Sequence, residues 1–277
     1  MPRLLDDLRG RRVGVALSSA FFGFYAHTGF LRALRARGVE PVAYSGSSAG
    51  ALVAAFAAGG GLDRLPPLFA HLQRSDFWDP SLPFGRPPGL LRGDRFRALL
   101  ATHLPVDRFE HCAHKLVTVA TDLSRGARHT DFSGPLAPAV HASCALPLLF
   151  RPVRRDGALH ADGGIVDKVP LTALLEHAEV DAVLVHFIPS AGLARPLPRG
   201  PWGLLDRLLD VARDDVDRLL DVARDDGWRH QVDLARARGV EVHVITSHPP
   251  RVTPFTLRRG LLAMGATEAE AGRALDG

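Results

Sequence analysis

The chain has 277 residues, 46% of them hydrophobic and 23% charged, with a formal net charge of +4 at pH 7. That length is near the upper limit for one domain and that composition supplies a core, which excludes a disordered or fibrous chain. Lys115 and Lys168 are the only lysines, and the arginines are scattered along the chain. A nucleic-acid footprint would gather basic residues on one element, so the bias reads as a GC-rich genome and no nucleic-acid partner is expected.

Cys112 and Cys144 are the only cysteines. They cannot build a disulfide framework and show no metal-ligand spacing, which fits a reducing compartment. The N-terminus Met1-Pro2-Arg3-Leu4-Leu5-Asp6-Asp7 carries charge where a signal peptide needs an apolar run. The longest apolar stretch, Ala49 to Gly61, falls short of the roughly 20 residues that a membrane span needs. A soluble, cytoplasmic protein is expected, and peripheral contact with membranes is compatible with that.

In chain order, Val13 to Leu17 is an apolar run of strand length. Small and aromatic residues follow, Ser18 to Tyr25, and then a helix with Phe30, Leu31 and Leu34 on one face and Gly38 closing it. Val39 to Ser45 reads as a second strand that runs into Gly46-Ser47-Ser48-Ala49-Gly50, and Ala51 to Ala58 reads as a helix. Strand, helix, strand, helix predicts a parallel sheet with right-handed crossovers.

Pro66 to Pro105, rich in Pro, Gly, Phe and Trp, reads as an excursion outside the sheet that caps a site, with Phe69, Phe77, Trp78, Phe84 and Leu90 as candidates to line it. Further strands are expected at Lys115–Thr121, Val183–Ile188 and Val240–Ile245. A short helix is expected at Ala137–Ala145, and a last one at Thr267–Leu275 with a good N-cap. Asp206 to Asp215 is repeated without change at Asp217 to Asp226. An 11-residue period keeps both copies on one face, with Leu205, Leu208, Ala212, Val216, Leu219 and Ala223 as an apolar stripe. The polar face is balanced rather than basic, which favours a surface helix lengthened by duplication over a lid or membrane helix.

The strongest chemical signal is Gly46-x-Ser48-x-Gly50 between an apolar strand and an alanine-rich helix. Flanking glycines permit a tight strand-to-helix turn that pushes the serine out of the chain's path and onto a helix N-terminus, where developing negative charge is favoured. A serine nucleophile needs a base. In an α/β-hydrolase the elbow follows several strands, whereas Ser48 follows about two. The candidate base is Asp162, in Asp162-Gly163-Gly164, 114 residues downstream. A plain turn aspartate would be the simpler reading if Ser48 were absent.

Further blocks accompany these: Ala120-Thr121-Asp122-Leu123, Ala142-Ser143-Cys144-Ala145-Leu146-Pro147, Asp162-Gly163-Gly164-Ile165-Val166-Asp167 and Val169-Pro170-Leu171. In their order and spacing the sequence resembles the patatin-like phospholipase family over roughly Arg12 to Ala191. The resemblance implies a three-layer α/β domain, a mainly parallel central sheet with helices on both faces, over 1–191. Residues 192–277 then form a C-terminal extension with the repeat (206–226), a last strand and a terminal helix packed on the same domain. It also implies a Ser-Asp dyad, with Ser48 as nucleophile and Asp162 as proton acceptor. The implied substrate is a lipid or acyl ester, with no metal or organic cofactor.

Of the 13 histidines, His27 falls where family members carry one, but it reads as helix packing. The family's glycine-rich oxyanion loop, usually three glycines and an arginine, is replaced here by Ser18-Ser19-Ala20-Phe21-Phe22-Gly23-Phe24. Backbone donors of Ser19, Ala20 and Phe21 with Ala49 form the expected oxyanion hole, provided no bulky position needs φ > 0. Phe22, Phe24 and Tyr25 beside it read equally as an acyl pocket wall or as core. The altered loop also allows a second class of function, a lipid-binding or regulatory protein with little turnover.

Overall fold

A computed structural model describes residues 4–81, 89–189, 224 and 227–277. Among these residues, β1 (Val13–Leu17), β2 (Ala43–Ser47), β3 (Lys115–Asp122), β4 (Ala127–Asp131), β5 (Val153–Arg155), β6 (Ala158–Ala161), β7 (Ala182–Phe187) and β8 (Glu241–Thr246) form one sheet. Its order is β5-β6-β3-β2-β1-β7-β8, with β4 also paired to β3. The five strands β1, β2, β3, β7 and β8 are parallel, while β4, β5 and β6 pair antiparallel at one side.

The helices are α1 (Leu4–Leu8), α2 (Phe24–Arg35), α3 (Ala49–Ala58), α4 (Leu65–His71), α5 (Asp94–His103), α6 (Leu136–Ser143), α7 (Leu171–His177), α8 (227–237) and α9 (Gly260–Asp276). Successive strand residues point to opposite faces, so strands apolar at every position need a cover on both. In β7, Ala182 and Leu184 join the core formed with α2, α3 and α9. Val183 and Val185 join the other, with Leu171 and Leu174 of α7 and Val232 and Ala235 of α8. This is the three-layer α/β arrangement expected from the sequence.

Several boundaries differ for identifiable reasons. The second strand begins at Ala43, not Val39, because the Val39 N–H turns back to the Leu34 carbonyl and Pro41 has no N–H for a ladder. It continues through Gly46 and Ser47, so the elbow is the strand's own end. The last helix starts at Gly260, seven residues before Thr267. A Cβ on Gly260 would collide with the ring of Tyr25, so this residue seats the first turn of α9 against α2. Strands β4, β5 and β6, three short polar or mixed runs, carry no apolar pattern and are not evident in the sequence. The described residues of the segment 66–105 stay outside the sheet and contribute most of α4 and all of α5. The tandem repeat lies outside the described residues except for Arg224, which is helical.

His27 is a packing residue. Its ring is fully buried, with Nε2 2.8 Å from the Ser18 carbonyl and Nδ1 2.8 Å from Nδ1 of His186. A carbonyl only accepts, so Nε2 of His27 carries the proton and Nδ1 accepts from His186. Burial pushes His27 down to about 4 and His186 well below the ordinary histidine range.

Two outcomes are expected from this packing. Between pH 6.5 and 4 the unfolded chain takes up protons that folded His27 refuses. Stability is therefore full above pH 6.5 and falls as pH drops, by up to about 1.4 kcal/mol per unit from this residue. Urea midpoints measured across that window should show a shallower slope in His27→Gln than in wild type; an unchanged slope counts against a neutral buried imidazole. Independently, a Cβ on Gly29 of α2 would run into the Met264 carbonyl of α9, a backbone atom that cannot turn aside. Gly29→Ala should lower stability by about 1–3 kcal/mol in the same assay.

Candidate active site

The site is built where two strands end head to head. On one edge of β3, β2 runs parallel to it and ends with Ser47 opposite Val119. Antiparallel β6 occupies the continuation of that edge and ends with Ala161 opposite Thr121. That both lie on one edge follows from β4, which pairs with Thr118 to Asp122 on the other. The residues that follow the two strand ends are Ser48 and Asp162, and the Ser48 hydroxyl donates to Oδ2 of Asp162 at 2.6 Å.

Ser48 leaves the strand with φ 54° and ψ −121° and α3 begins at the next residue. This backbone region is costly for any residue with a side chain. The two flanking glycines are required by close approach: a Cβ on Gly46 would strike the Gly50 backbone, and one on Gly50 would strike the carbonyl of Leu17. Ser143 closes the underside of the turn. Its hydroxyl donates to the Val119 carbonyl at 2.6 Å and accepts the Ser48 N–H at 3.0 Å.

Asp162 is 3% exposed and held at several atoms. Its N–H donates to the Ala145 carbonyl (2.9 Å) and its carbonyl accepts from the Thr121 hydroxyl (2.7 Å). Oδ1 accepts the Gly164 N–H at 2.8 Å, which leaves Oδ2 for Ser48. A side chain on Gly163 would enter the Val119 carbonyl, and one on Gly164 would crowd Ser19. Gly46, Gly50, Gly163 and Gly164 thus share one role, allowing backbones to close around the Ser48 and Asp162 side chains. Thr121 and Ser143 also hold the pair, and nothing in their residue type separates them, in the sequence, from ordinary buried hydroxyls.

Downstream of the dyad, Asp167 closes a turn onto the Gly163 carbonyl and is tied to α8 through Gln231, whose amide nitrogen donates to Oδ1 at 2.9 Å. Burial pushes this carboxyl up to about 6 despite Gln231 and Arg128 beside it. The Cys144 thiol donates to the Ser48 carbonyl at 3.1 Å. Burial, with the charge of Asp162 nearby, raises it well above the ordinary thiol range, so it stays protonated beside the serine.

Ser48 and Asp162 lie in the wall of a cavity of about 160 Å³. Ser19, Ala20, Phe21 and Ala49 line the same cavity. The Ser19 N–H, however, donates to the Lys168 carbonyl at 2.8 Å and is spent there. Ala49 opens α3, so its N–H has no acceptor within the helix. The positive φ in this loop falls on Phe22 (φ 52°), whose ring packs on Phe21, Phe24 and Phe77.

The aromatic cluster divides. Phe22 and Phe24 line the cavity, whereas Tyr25 does not: its ring is fully buried against Phe24, Phe69 and the start of α9. From the excursion, Phe69 and Phe77 line the cavity, joined by Phe96 and Leu99 of α5. Trp78 and Leu90 stand outside the lining, and Phe84 lies outside the described residues. Lys168, Arg224 and His103 are the basic residues of the wall among the described residues.

The chain is similar to several known proteins. An uncharacterised NTE family protein of Mycobacterium bovis is 36% identical over 170 residues, 59% of this chain and 45% of that protein. An uncharacterised NTE family protein of Mycobacterium tuberculosis is 29% identical over 215 residues, 74% of this chain and 36% of the relative. The chain thus spans less than half the length of these curated relatives. Among solved structures, VipD from Legionella pneumophila shares the fold, with a TM-score of 0.57 at 16% identity over 96% of this chain and 67% of that one. The family model for patatin-like phospholipase matches residues 15–175. That span runs from β1 through both strand ends of the dyad, and this chain belongs to the patatin-like phospholipase family.

Proposed function

We propose that the chain is a serine acyl hydrolase that cleaves fatty acyl esters of lipids through Ser48, Asp162 and an acyl-enzyme intermediate. The observation that carries this reading is the 2.6 Å hydrogen bond from Ser48 Oγ to Asp162 Oδ2 in the wall of an apolar cavity. Asp162 accepts the hydroxyl proton as Oγ attacks the ester carbonyl carbon. The tetrahedral oxyanion is received by the Ala49 N–H at the start of α3, with the amides of Ala20 and Phe21 as the loop's contribution. Collapse expels the alcohol, which takes the proton from Asp162. Water, deprotonated by the same carboxylate, then releases the fatty acid and restores Ser48. The acyl chain lies along Phe22, Phe24, Phe69, Phe77 and Phe96. Phospholipids, lysophospholipids and other fatty acyl esters all satisfy this arrangement.

The Ser19 amide bound to Lys168 and the strained Phe22 favour a second reading, a lipid-binding protein with little turnover. A fluorophosphonate probe with the labelled residue located by mass spectrometry separates the two. Hydrolase function requires modification at Ser48, slowed about 100- to 10,000-fold in Asp162→Asn. A folded protein that never labels leaves the lipid-binding reading in place. The strain at Ser48 gives a second outcome. Ser48→Gly and Ser48→Ala both lose the hydroxyl, so they differ by the Cβ alone. The glycine variant should be the more stable by about 1–3 kcal/mol in urea unfolding; the reverse order would mean that the elbow stores no strain.

A further inference from the structure

Leu148 is at odds with its surroundings in two ways. It adopts φ 70°, a left-handed conformation that leucine enters at a cost, and it is 71% exposed. The backbone around it is fixed, since its carbonyl accepts the Leu90 N–H at 3.1 Å and Leu149 accepts Leu91 at 2.8 Å. Its neighbours Leu146 and Leu149 line the cavity, which sets Leu148 on the rim with its side chain outward.

Leu90, 48% exposed, stands beside it, and Leu91 beneath packs with Trp78. The exposed Arg74 guanidinium lies 5.2 Å from the Trp78 ring and 5.4 Å from the ring of Phe255, which is 63% exposed. Exposed Arg92, its Nε 4.0 Å from the exposed Asp94 carboxylate, follows Leu90 two residues on. Bulky apolar groups held outward beside a cation gripped by aromatic rings suit an interface that is apolar within and anionic at its surface.

We infer that this rim, carried by Leu148, Leu90 and Phe255 with Arg74 and Arg92, is a docking surface for an anionic lipid bilayer. The inference rests on the acyl hydrolase reading, because the bilayer is what delivers an acyl chain into the adjoining cavity. Outward apolar groups beside arginines are complementary to an anionic bilayer, which favours it over a second copy of the chain. Among the described residues no helix is long and apolar enough to cross a membrane. The contact lies on the bilayer surface, with the apolar points entering and the arginines meeting headgroup phosphates.

Leu148→Gly tests this without endangering the fold, because glycine is at ease at φ 70°. Sedimentation with mixed phosphatidylglycerol and phosphatidylcholine vesicles should show wild type bound and the variant weakened about tenfold or more. Arg74→Glu should weaken binding further, and added salt should weaken wild type. Fluorophosphonate labelling of Ser48 in vesicle-free buffer should stay within about twofold in both variants. Wild type that ignores the vesicles, or a glycine variant that binds equally well, overturns the inference. So does a wild-type dimer that Leu148→Gly dissolves without change in vesicle binding. Vesicle binding that depends on Leu148 in a protein whose Ser48 never labels would leave the surface standing and remove the hydrolase.

Discussion

The site depends on one edge of β3 being shared by two strands that run toward each other. Ser48 and Asp162 arise from opposite chain directions, and their side chains meet only because β2 stops at Val119 and β6 stops at Thr121. That convergence needs no long-range flexibility, since the ladder of β3 sets both positions to within a hydrogen bond. It also explains why β3 supplies the supports. The Val119 carbonyl anchors Ser143 beneath the serine, and the Thr121 hydroxyl anchors the Asp162 backbone. A shift of β3 by one residue would move both halves of the dyad together.

The energetic consequence is a site made of close backbone approach rather than of side-chain bulk. Gly46, Gly50, Gly163 and Gly164 each sit where a Cβ would meet a neighbouring atom at less than van der Waals distance. Strain falls on Ser48, as it does on Phe22 in the neighbouring loop, and the hydrogen bonds around Ser48 prevent it from relaxing. Stability lost at the elbow is recovered in the two cores on either face of the sheet, where β1, β2 and β7 are buried at almost every position. Strands covered on both faces can hold a strained turn at their ends because they have no freedom to tilt.

The same physics decides what could be read from the sequence. β1, β3 and β7 are legible because both faces are buried and each carries a run rich in apolar and β-branched residues, and the elbow is legible because its glycines are spaced for contact. β4, Ala-Arg-His-Thr-Asp, is not, because its half-exposed faces are polar and its place is set by pairing with β3. The start of α9 is hidden for a related reason: Gly260 looks like a breaker, yet it is what the Tyr25 ring requires. Phe22, Phe24 and Tyr25 are one cluster in the sequence and two environments in the fold. Composition cannot separate an apolar pocket from a core, because the same side chains suit both. Only the helical phase of α2, which turns Tyr25 inward under Phe69, tells them apart.

The loop after β1 is where this chain departs furthest from the glycine-rich pattern, and the structure gives the departure a physical form. An oxyanion hole needs N–H groups held in place, and a glycine-rich loop supplies them through unusual backbone angles. Here the unusual angle falls on Phe22, and its ring contacts with Phe21, Phe24 and Phe77 hold the loop by aromatic packing instead. The Ser19 N–H is committed to the Lys168 carbonyl, which ties the loop to the strand of sequence that follows Asp162. The loop is therefore fixed at both ends, by packing on one side and by the aspartate segment on the other. The Ser19 amide is thereby withdrawn from any oxyanion hole that this loop could form, and the loss of one such donor typically costs about 100- to 1000-fold in rate.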